Sequence, residues 1–159
     1  MEKNNKIIVL LHNIRSVHNV GSLFRTSDAA GVTKIYLSGY TSQPIDRFGR
    51  PVQELSKVAL GGEYSIPWEY IPNPEAFITD QKKRGIYVIG LEQDIRSVDY
   101  KKIEPQFPLL FIVGNEVEGM SQDILSLCDV IAEIPMKGVK ESLNVAVSFG
   151  IALFRILHI

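Results

Sequence analysis

The sequence predicts an α/β fold in which one parallel β-sheet carries helices on both faces. Short, continuous apolar runs, which suit strands buried on both sides, alternate with segments of helical periodicity. The 159 residues suit one domain, because a chain of this length buries about 70% of the surface it exposes when unfolded. We expect residues 1–159 to form a single domain that leaves no room for a separate substrate-binding domain.

The first elements follow one another closely. KIIVLL at 6–11 predicts a buried strand, and 20–30 predicts a helix whose apolar residues share one face. Gly31 is a natural end for this helix, because glycine tolerates the left-handed backbone of a helix C-terminus. KIYLS at 34–38 predicts the second strand.

A polar stretch separates these elements from the next helix. Residues 39–57 predict a long loop, and 65–70 predicts a short strand. The helix is predicted at 73–84, because Pro74 stands in its first turn and Gly85 follows its end.

The second half continues the alternation. Apolar runs predict strands at 86–91, 109–113 and 130–134. A short helix is predicted at 121–127, and Ser121 is its expected N-cap.

The last predicted helix, Asn144–Ile159, is apolar almost all round. Its polar residues fall within a stripe about 80° wide that Ile151 interrupts. A helix this apolar needs burial on more than one side. We therefore expect it to pack against a second subunit; the alternative is a central helix enclosed within one domain.

Composition and charge exclude several classes of protein. The formal net charge of −1 gives no sign of nucleic-acid binding, so any such contact needs a local cluster. The single Cys128 excludes an intramolecular disulfide and a zinc site built on cysteines, and its apolar surroundings predict a buried thiol. The N-terminal segment lacks a signal-peptide pattern, and no stretch reaches the ~20 apolar residues of a membrane span. We expect a cytoplasmic enzyme.

Three motifs follow predicted strands, and the first is NIRSVHNVGSLFR at 13–25. Asn19 stands where a helix cap is expected, and Gly21 permits the close approach of a backbone or a ligand. Arg25 lies about 140° around the helix from Val20, off the core face and free to enter a cleft. The alternative for Arg25 is a solvated surface arginine.

The second motif, FIVGNEVEGMS at 111–121, runs from a buried strand into a turn rich in glycine. In open parallel sheets, ligands bind where strands end in this way. The motif has neither the dinucleotide glycine pattern nor a phosphate loop, and Glu116 and Glu118 would repel a phosphate. An ordinary turn between a strand and a helix is the alternative.

The third motif, IPMKGVKESLN at 134–144, ends in Ser142 and Asn144, which either cap the last helix or face a reaction centre. We expect three strand ends to converge on one crevice: Gly90-Leu91, Gly114 and Ile134–Met136. Their backbone groups and apolar neighbours suit an adenine-bearing ligand with few charges better than a phosphorylated one.

Together, NIRSVHNVGSLFRT, IVGNExxGMS and IPMxGxxxSLNVAV resemble the three motifs of SpoU/TrmH-type RNA 2′-O-ribose methyltransferases of the SPOUT superfamily. The motifs occur in the family's order and cover almost the whole chain. The resemblance implies a sheet whose C-terminal part forms a trefoil knot, and a homodimer with the active site at its interface. It also implies methyl transfer from S-adenosylmethionine (SAM) to a ribose 2′-hydroxyl of tRNA or rRNA, without a metal.

The resemblance also assigns roles to residues. The implied catalytic residues are Asn19, Arg25, Glu116, Ser142 and Asn144. The implied SAM-binding residues are Gly90, Leu91, Gly114, Ile134, Met136, Ser142 and Leu143. Because an arginine keeps its charge up to a pKa above ~12, we expect Arg25 to orient the hydroxyl and stabilise negative charge rather than to act as a base.

Many members of the family that this sequence resembles carry an N- or C-terminal extension that binds RNA. We expect no such extension here, so the RNA would bind to the catalytic domain itself. The candidate phosphate contacts flank the motif loops and are Arg15, Arg47, Arg50, Lys57, Lys137 and Lys140. Phe48 could stack on a base. Solvated surface charges are the alternative, and Lys82-Lys83-Arg84 is expected to be a charge cluster at a helix C-terminus.

Two other functions stay open at this point. One is an RNA base methyltransferase of the same superfamily, against which the S-L-N-V segment and the Asn19/Arg25 pair argue. The other is an inactive module that binds SAM or RNA, which need not keep Arg25, Glu116, Ser142 and Asn144 together. The sequence argues against a nicotinamide-dependent oxidoreductase, because it lacks the phosphate-binding glycine pattern G-x-G-x-x-G.

Overall fold

A computed structural model describes residues 5–159, and its centre is a seven-stranded sheet in which every neighbouring pair is parallel. The strands are β1 (Ile7–His12), β2 (Lys34–Ser38), β3 (Trp68–Tyr70), β4 (Tyr87–Leu91), β5 (Val98–Asp99), β6 (Leu109–Val113) and β7 (Val130–Glu133). Across the sheet their order is β3-β2-β1-β6-β4-β7-β5. The predicted α/β class with a parallel sheet is confirmed.

Six helices and one short 3-10 turn connect the strands of the described chain. The helices are α1 (Val17–Ala29), α2 (Gln53–Ala59), α3 (Gly62–Ser65), α4 (Pro74–Lys83), α5 (Gln122–Leu127) and α6 (Val145–Leu157). The 3-10 turn, Tyr100–Lys102, follows β5. Ser121 caps α5 as predicted, and Asn144 caps α6, which is one of the two alternatives given for it.

The core lies on both faces of the sheet. In β1, Val9 and Leu11 pack into a cluster shared with α1, α2 and α6, whereas Ile8 and Leu10 pack into a second cluster shared with α4 and α5. Successive residues of a strand point to opposite faces, so a strand buried on both sides must be apolar throughout. This explains the continuous apolar runs of the sequence.

The register brings the ends of three strands to one level. Leu11 of β1 and Leu91 of β4 both pair with Val113 of β6, so the loops after these strands leave the same edge of the sheet. The strands that meet at this edge are not consecutive in the sequence. After β4 the chain passes to β5 at the sheet edge, and it returns to place β6 between β1 and β4.

Two parts of the prediction were wrong in detail. The long loop predicted at 39–57 ends earlier, because α2 begins at Gln53. This helix buries only Leu55 and Ala59, and Val52 at its N-cap offers no capping side chain, so the sequence carries no start signal. The predicted strand at 65–70 is shorter, since α3 occupies its first residue.

The predicted cap of α1 is also corrected. The helix begins at Val17, and the Ser16 hydroxyl accepts the Asn19 amide at 3.2 Å, so Ser16 is the cap. Serine and asparagine are equally good caps, and a neighbouring polar residue can take the role. The Asn19 side chain, placed in the first turn, is therefore available for other contacts.

Candidate active site

A pocket of about 290 Å³ opens beside the carboxyl ends of β4, β6 and β7. It brings the three expected strand ends together. Six of the predicted SAM-binding residues line it: Leu91, Gly114, Ile134, Met136, Ser142 and Leu143. Gly90 does not line it, because a Cβ at that position would lie 2.8 Å from the Cys128 sulfur. Gly90 packs against Cys128, which is partly rather than fully buried as predicted. This burial raises the pKa of the Cys128 thiol to about 12.

The pocket is lined by carboxylates. Four glutamates contribute to its wall: Glu92, Glu116, Glu133 and Glu141. The lining residues, all within the described part of the chain, include no lysine or arginine. This charge distribution favours a cationic ligand and disfavours a phosphate.

The turn after β6 is packed tightly against this wall. A Cβ on Gly114 would lie 2.5 Å from Met120 Cγ, and Gly119 has the left-handed φ of +69° that glycine adopts without strain. The Met120 amide donates to Glu92 Oε2 at 3.1 Å. This role of Glu92 could not be predicted from the sequence, because a single glutamate after a strand carries no local signal.

A chain of hydrogen bonds joins the three sequence motifs. The Asn19 side-chain amide donates to Glu116 Oε1 at 2.9 Å, and the Asn144 side-chain amide donates to Asn19 Oδ1 at 3.1 Å. The Asn144 oxygen accepts the amides of Ala146 and Val147 at the start of α6. Three of the predicted catalytic residues are thus brought together, and Ser142 lies exposed at the pocket rim.

The carboxylate of Glu116 is fully engaged. Besides Asn19, it accepts the backbone amides of Arg15 at 2.8 Å and Ser16 at 3.1 Å. Burial raises the pKa of Glu116, but the hydrogen bonds from Asn19, Arg15 and Ser16 outweigh it, so its pKa lies below the usual value. A carboxylate held in this way is a weak proton acceptor and a strong tie between the two loops.

A second tie, also missed in the sequence, runs through Asn115. Its side-chain oxygen accepts the amides of Val117 and Glu118, and its amide group donates to the Asn13 carbonyl and the Tyr40 hydroxyl. These contacts fix the turn after β6 against the loops after β1 and β2. Asn115 lies within the second motif, but its spacing alone did not reveal this role.

Arg25 lies apart from the other predicted catalytic residues. Its side chain is exposed, as its angular position predicts, but it does not line the pocket. The helix face beside it packs on α2 and α3, where a Cβ on Gly21 would lie 2.7 Å from the Leu55 carbonyl oxygen. Within one chain, the described structure does not bring Arg25 to the pocket.

The predicted RNA-binding side chains are all exposed: Arg15, Arg47, Arg50, Lys57, Lys137 and Lys140. Lys137 and Lys140 belong to the loop that leads to the pocket rim, whereas Arg47 and Arg50 flank Phe48 on the loop after β2. By contrast, Lys82 at the end of α4 pairs with Asp129 at 3.0 Å and belongs to a structural contact.

Residues 5–159 hold no group of three or more His, Cys, Asp or Glu side chains placed to bind a metal. No helix among them is both long enough and apolar enough to cross a membrane. The first four residues of the N-terminal segment, for which no signal peptide was predicted, lie outside the described residues.

Two proteins of related sequence are named as RNA 2′-O-methyltransferases. The tRNA (guanosine(18)-2′-O)-methyltransferase of Aquifex aeolicus is 31% identical over 155 residues, covering 97% of this chain and 70% of that protein. The 23S rRNA (guanosine-2′-O-)-methyltransferase RlmB of Ralstonia nicotianae is 32% identical over 152 residues, covering 93% of this chain and 57% of that protein.

Solved structures agree. The AdoMet-bound rRNA methyltransferase from Sinorhizobium meliloti superposes with a TM-score of 0.87 at 31% identity, covering 98% of this chain and 57% of that one. The chain thus spans between 57% and 70% of the length of these three proteins. Residues 6–154 match the SpoU rRNA methylase family. With three motifs joined at one pocket and a match over nearly its whole length, the chain belongs to the SpoU rRNA methylase family.

Proposed function

We propose that this protein transfers a methyl group from SAM to a ribose 2′-hydroxyl of tRNA or rRNA. The main support is the acidic pocket at three strand ends. Hydrogen bonds between Asn19, Glu116 and Asn144, one residue from each motif, join the three motifs at this pocket. The relatives named as tRNA and 23S rRNA 2′-O-methyltransferases and the AdoMet-bound structure support the same reaction and cofactor.

The pocket residues fit SAM. When bound, SAM supplies an activated methyl group on a positively charged sulfonium, so no metal is needed. The glutamates of the wall suit that positive charge, and the strand-end backbones offer N–H and C=O groups to an adenine ring. We propose that Leu91, Gly114, Ile134, Met136, Ser142 and Leu143 hold the cofactor, and that Gly90 supports them by close packing.

The reaction needs a positioned hydroxyl. Because Glu116 already accepts three N–H donors, we assign it and Asn19 to holding the loops rather than to removing the proton. Ser142 at the pocket rim and Asn144, exposed two residues later, would position the ribose. Arg25 would orient the hydroxyl and stabilise the developing negative charge.

A homodimer would explain the position of Arg25. The outer face of α6 exposes Val147 by 51% and Ile151 by 40%, which agrees with the expectation that Asn144–Ile159 packs against a second subunit. We propose that two chains associate through α6 and that the exposed Arg25 of one chain completes the pocket of its partner. The active site would then lie at the interface.

We also propose that the C-terminal part of the chain is tied into a trefoil knot. The strand order supports this, because the chain passes to the edge at β5, crosses back to place β6 between β1 and β4, and then turns outward to place β7 between β4 and β5. An enzyme that acts on tRNA or rRNA works where these molecules are found, so we propose that the protein is cytoplasmic.

The experiment that tests this function is methyl transfer from SAM to total RNA that lacks its native modifications, followed by digestion to nucleosides and mass analysis. We expect a methyl group on the sugar fragment. A methyl group on the base fragment would instead favour the base methyltransferase. An absence of both transfer and SAM binding would contradict the proposal and favour the inactive module.

A further inference from the structure

The loop between β2 and α2 carries an aromatic side chain that the proposed reaction does not use. The loop folds back on itself, since Ile45 and Pro51 form an antiparallel bridge and the Val52 amide donates to the Pro44 carbonyl at 2.9 Å. At its tip, Phe48 is 65% exposed. A large apolar ring held out in water is a common feature of binding surfaces.

Asp46 makes the tip rigid. Its Oδ1 accepts the amides of Arg50 at 3.0 Å and Phe48 at 2.8 Å, and its Oδ2 accepts Arg50 Nε at 2.9 Å. The Asp46 amide in turn donates to the Arg50 carbonyl at 2.8 Å, and Gly49 takes a left-handed φ of +76° to close the turn. A tip ordered in advance loses little conformational entropy when a ligand binds.

Two guanidinium groups flank the Phe48 ring. The Cζ atom of Arg47 lies 4.7 Å from the ring centroid, and that of Arg50 lies 4.9 Å from it. The Nε–H of Arg50 donates to Asp46, which leaves the two terminal nitrogens of Arg50 available to a ligand. Arg47 forms no ion pair within residues 5–159. In a chain of formal net charge −1, this is a local concentration of positive charge around an aromatic face.

The loop leaves the same edge of the sheet as the pocket. At its base, the Thr41 hydroxyl accepts the Ile14 amide at 3.1 Å, and its one hydrogen is shared between the carbonyl oxygens of Ser38 at 2.8 Å and Leu11 at 3.0 Å. These bonds anchor the loop to the end of β1, from which the first motif continues. The tip is therefore carried by the framework that holds the candidate active site.

We propose that Phe48, with Arg47 and Arg50, forms a stacking platform for an unpaired base of the RNA, and that the substrate therefore presents a single-stranded nucleotide in addition to the one that is methylated. A base can stack on the Phe48 ring or on the guanidinium planes that lie over it, and the same arginines can reach the adjoining phosphates. Within a duplex, neighbouring base pairs already cover both faces of each base. This inference rests on the proposed function, because it names the kind of RNA that the same domain accepts.

The test measures binding of the full-length protein to three fluorescent RNA probes. These are an oligouridylate of about 12 nucleotides, a strand of equal length that lacks its bases, and a duplex of equal length. We expect Phe48→Ala to weaken binding of the oligouridylate roughly 5- to 100-fold and to leave the other two probes unchanged. Phe48→Trp should retain binding, and Arg47→Ala should weaken the two single strands alike, because it removes a phosphate contact.

Tyr64→Ala is the matched control. Tyr64 is an exposed aromatic side chain, 72% accessible, and no guanidinium lies over its ring within the described chain. Its loss should leave binding of all three probes unchanged. Wild-type affinity of Phe48→Ala for oligouridylate would overturn the platform. An equal loss for the strand without bases would also overturn it, since the ring would then serve only to shape the loop.

Methyl transfer to unmodified total RNA, measured in parallel, separates this inference from the proposed function. If Phe48→Ala binds oligouridylate like the wild type while the wild type still methylates ribose, the platform is wrong and the function stands. If the wild type transfers no methyl group and binds no SAM, the function is wrong, and with it the inference.

Discussion

Three polar side chains from three distant segments shape the candidate active site at the scale of single residues. Asn19, Glu116 and Asn144 each contribute a hydrogen bond that crosses between motifs. Neither of these two contacts can be read from local sequence, because the partners lie 97 and 125 positions apart. The motifs predicted these three residues as members of one site, and the structure shows the hydrogen bonds that join them.

Glu116 should contribute to stability in a pH-dependent way. Its folded-state pKa is lowered, so its stabilisation is fully present above its unfolded pKa and is lost as the pH falls through the folded pKa. We expect Glu116→Gln to lower the free energy of unfolding at pH 7 by about 1 kcal/mol, because an amide nitrogen cannot accept one of the N–H donors. Urea unfolding at a series of pH values measures this.

The control for this prediction is Glu118→Gln, which changes an exposed glutamate of the same turn and should leave stability unchanged. The gap between wild type and Glu116→Gln should close as the pH falls below the usual range of a glutamate. A gap that stays constant down to that pH would show that the carboxylate charge is not what ties the loops.

At the scale of elements, the packing of α1 depends on one glycine. Gly21 lies against α2, and a Cβ there would meet the Leu55 carbonyl oxygen at 2.7 Å and Val58 Cβ at 3.0 Å. Backbone cannot yield cheaply, so we expect Gly21→Ala to destabilise the protein by about 1–3 kcal/mol. Thermal and urea unfolding are the measurements.

A second helical glycine supplies the comparison. At Gly150 of α6, a Cβ would lie 3.5 Å from Thr26 Cγ2, which is an ordinary contact. Gly150→Ala should therefore be neutral or stabilising by up to about 1 kcal/mol, because alanine favours a helix more than glycine does. Equal effects of the two substitutions would contradict the packing described for α1.

The outer face of α6 leads to a prediction about assembly. We expect the wild-type protein to be a dimer at micromolar concentration and Ile151→Asp to be a monomer, because burying an unpaired carboxylate costs several kcal/mol. Size exclusion with light scattering measures both. The control is Ile95→Asp, at an exposed position on the loop after β4, which should leave the dimer intact. A monomeric wild type would contradict the proposed interface.

Most elements could be predicted because their signals are local. The apolar strands, Pro74 and Gly85 around α4, and the cap Ser121 all act through neighbouring residues. What could not be predicted depends on distant partners. The two residues of β5 form a strand only by pairing with β7. Helix α2 is stabilised mainly because Leu55 and Ala59 are buried in the core.

At the scale of the whole molecule, the pocket and Arg25 are separate within one chain, and the proposed dimer would unite them. In such a dimer, Arg25 acts in the reaction while the pocket binds the cofactor without it. Arg25→Ala should leave SAM affinity within about twofold of the wild type, since Arg25 does not line the pocket. It should also reduce methyl transfer by about 100-fold or more, as expected for the loss of a group that stabilises charge in the transition state.

Ribose methylation that depends on Arg25 can be measured by the transfer of labelled methyl groups from SAM to unmodified RNA, followed by alkaline hydrolysis. A 2′-O-methyl group protects the adjoining phosphodiester from alkali. We predict label in an alkali-resistant dinucleotide with the wild type, and about 100-fold less or none with Arg25→Ala despite normal SAM binding. Label that appears only in alkali-released mononucleotides would contradict ribose methylation, and undiminished label with Arg25→Ala would contradict the site.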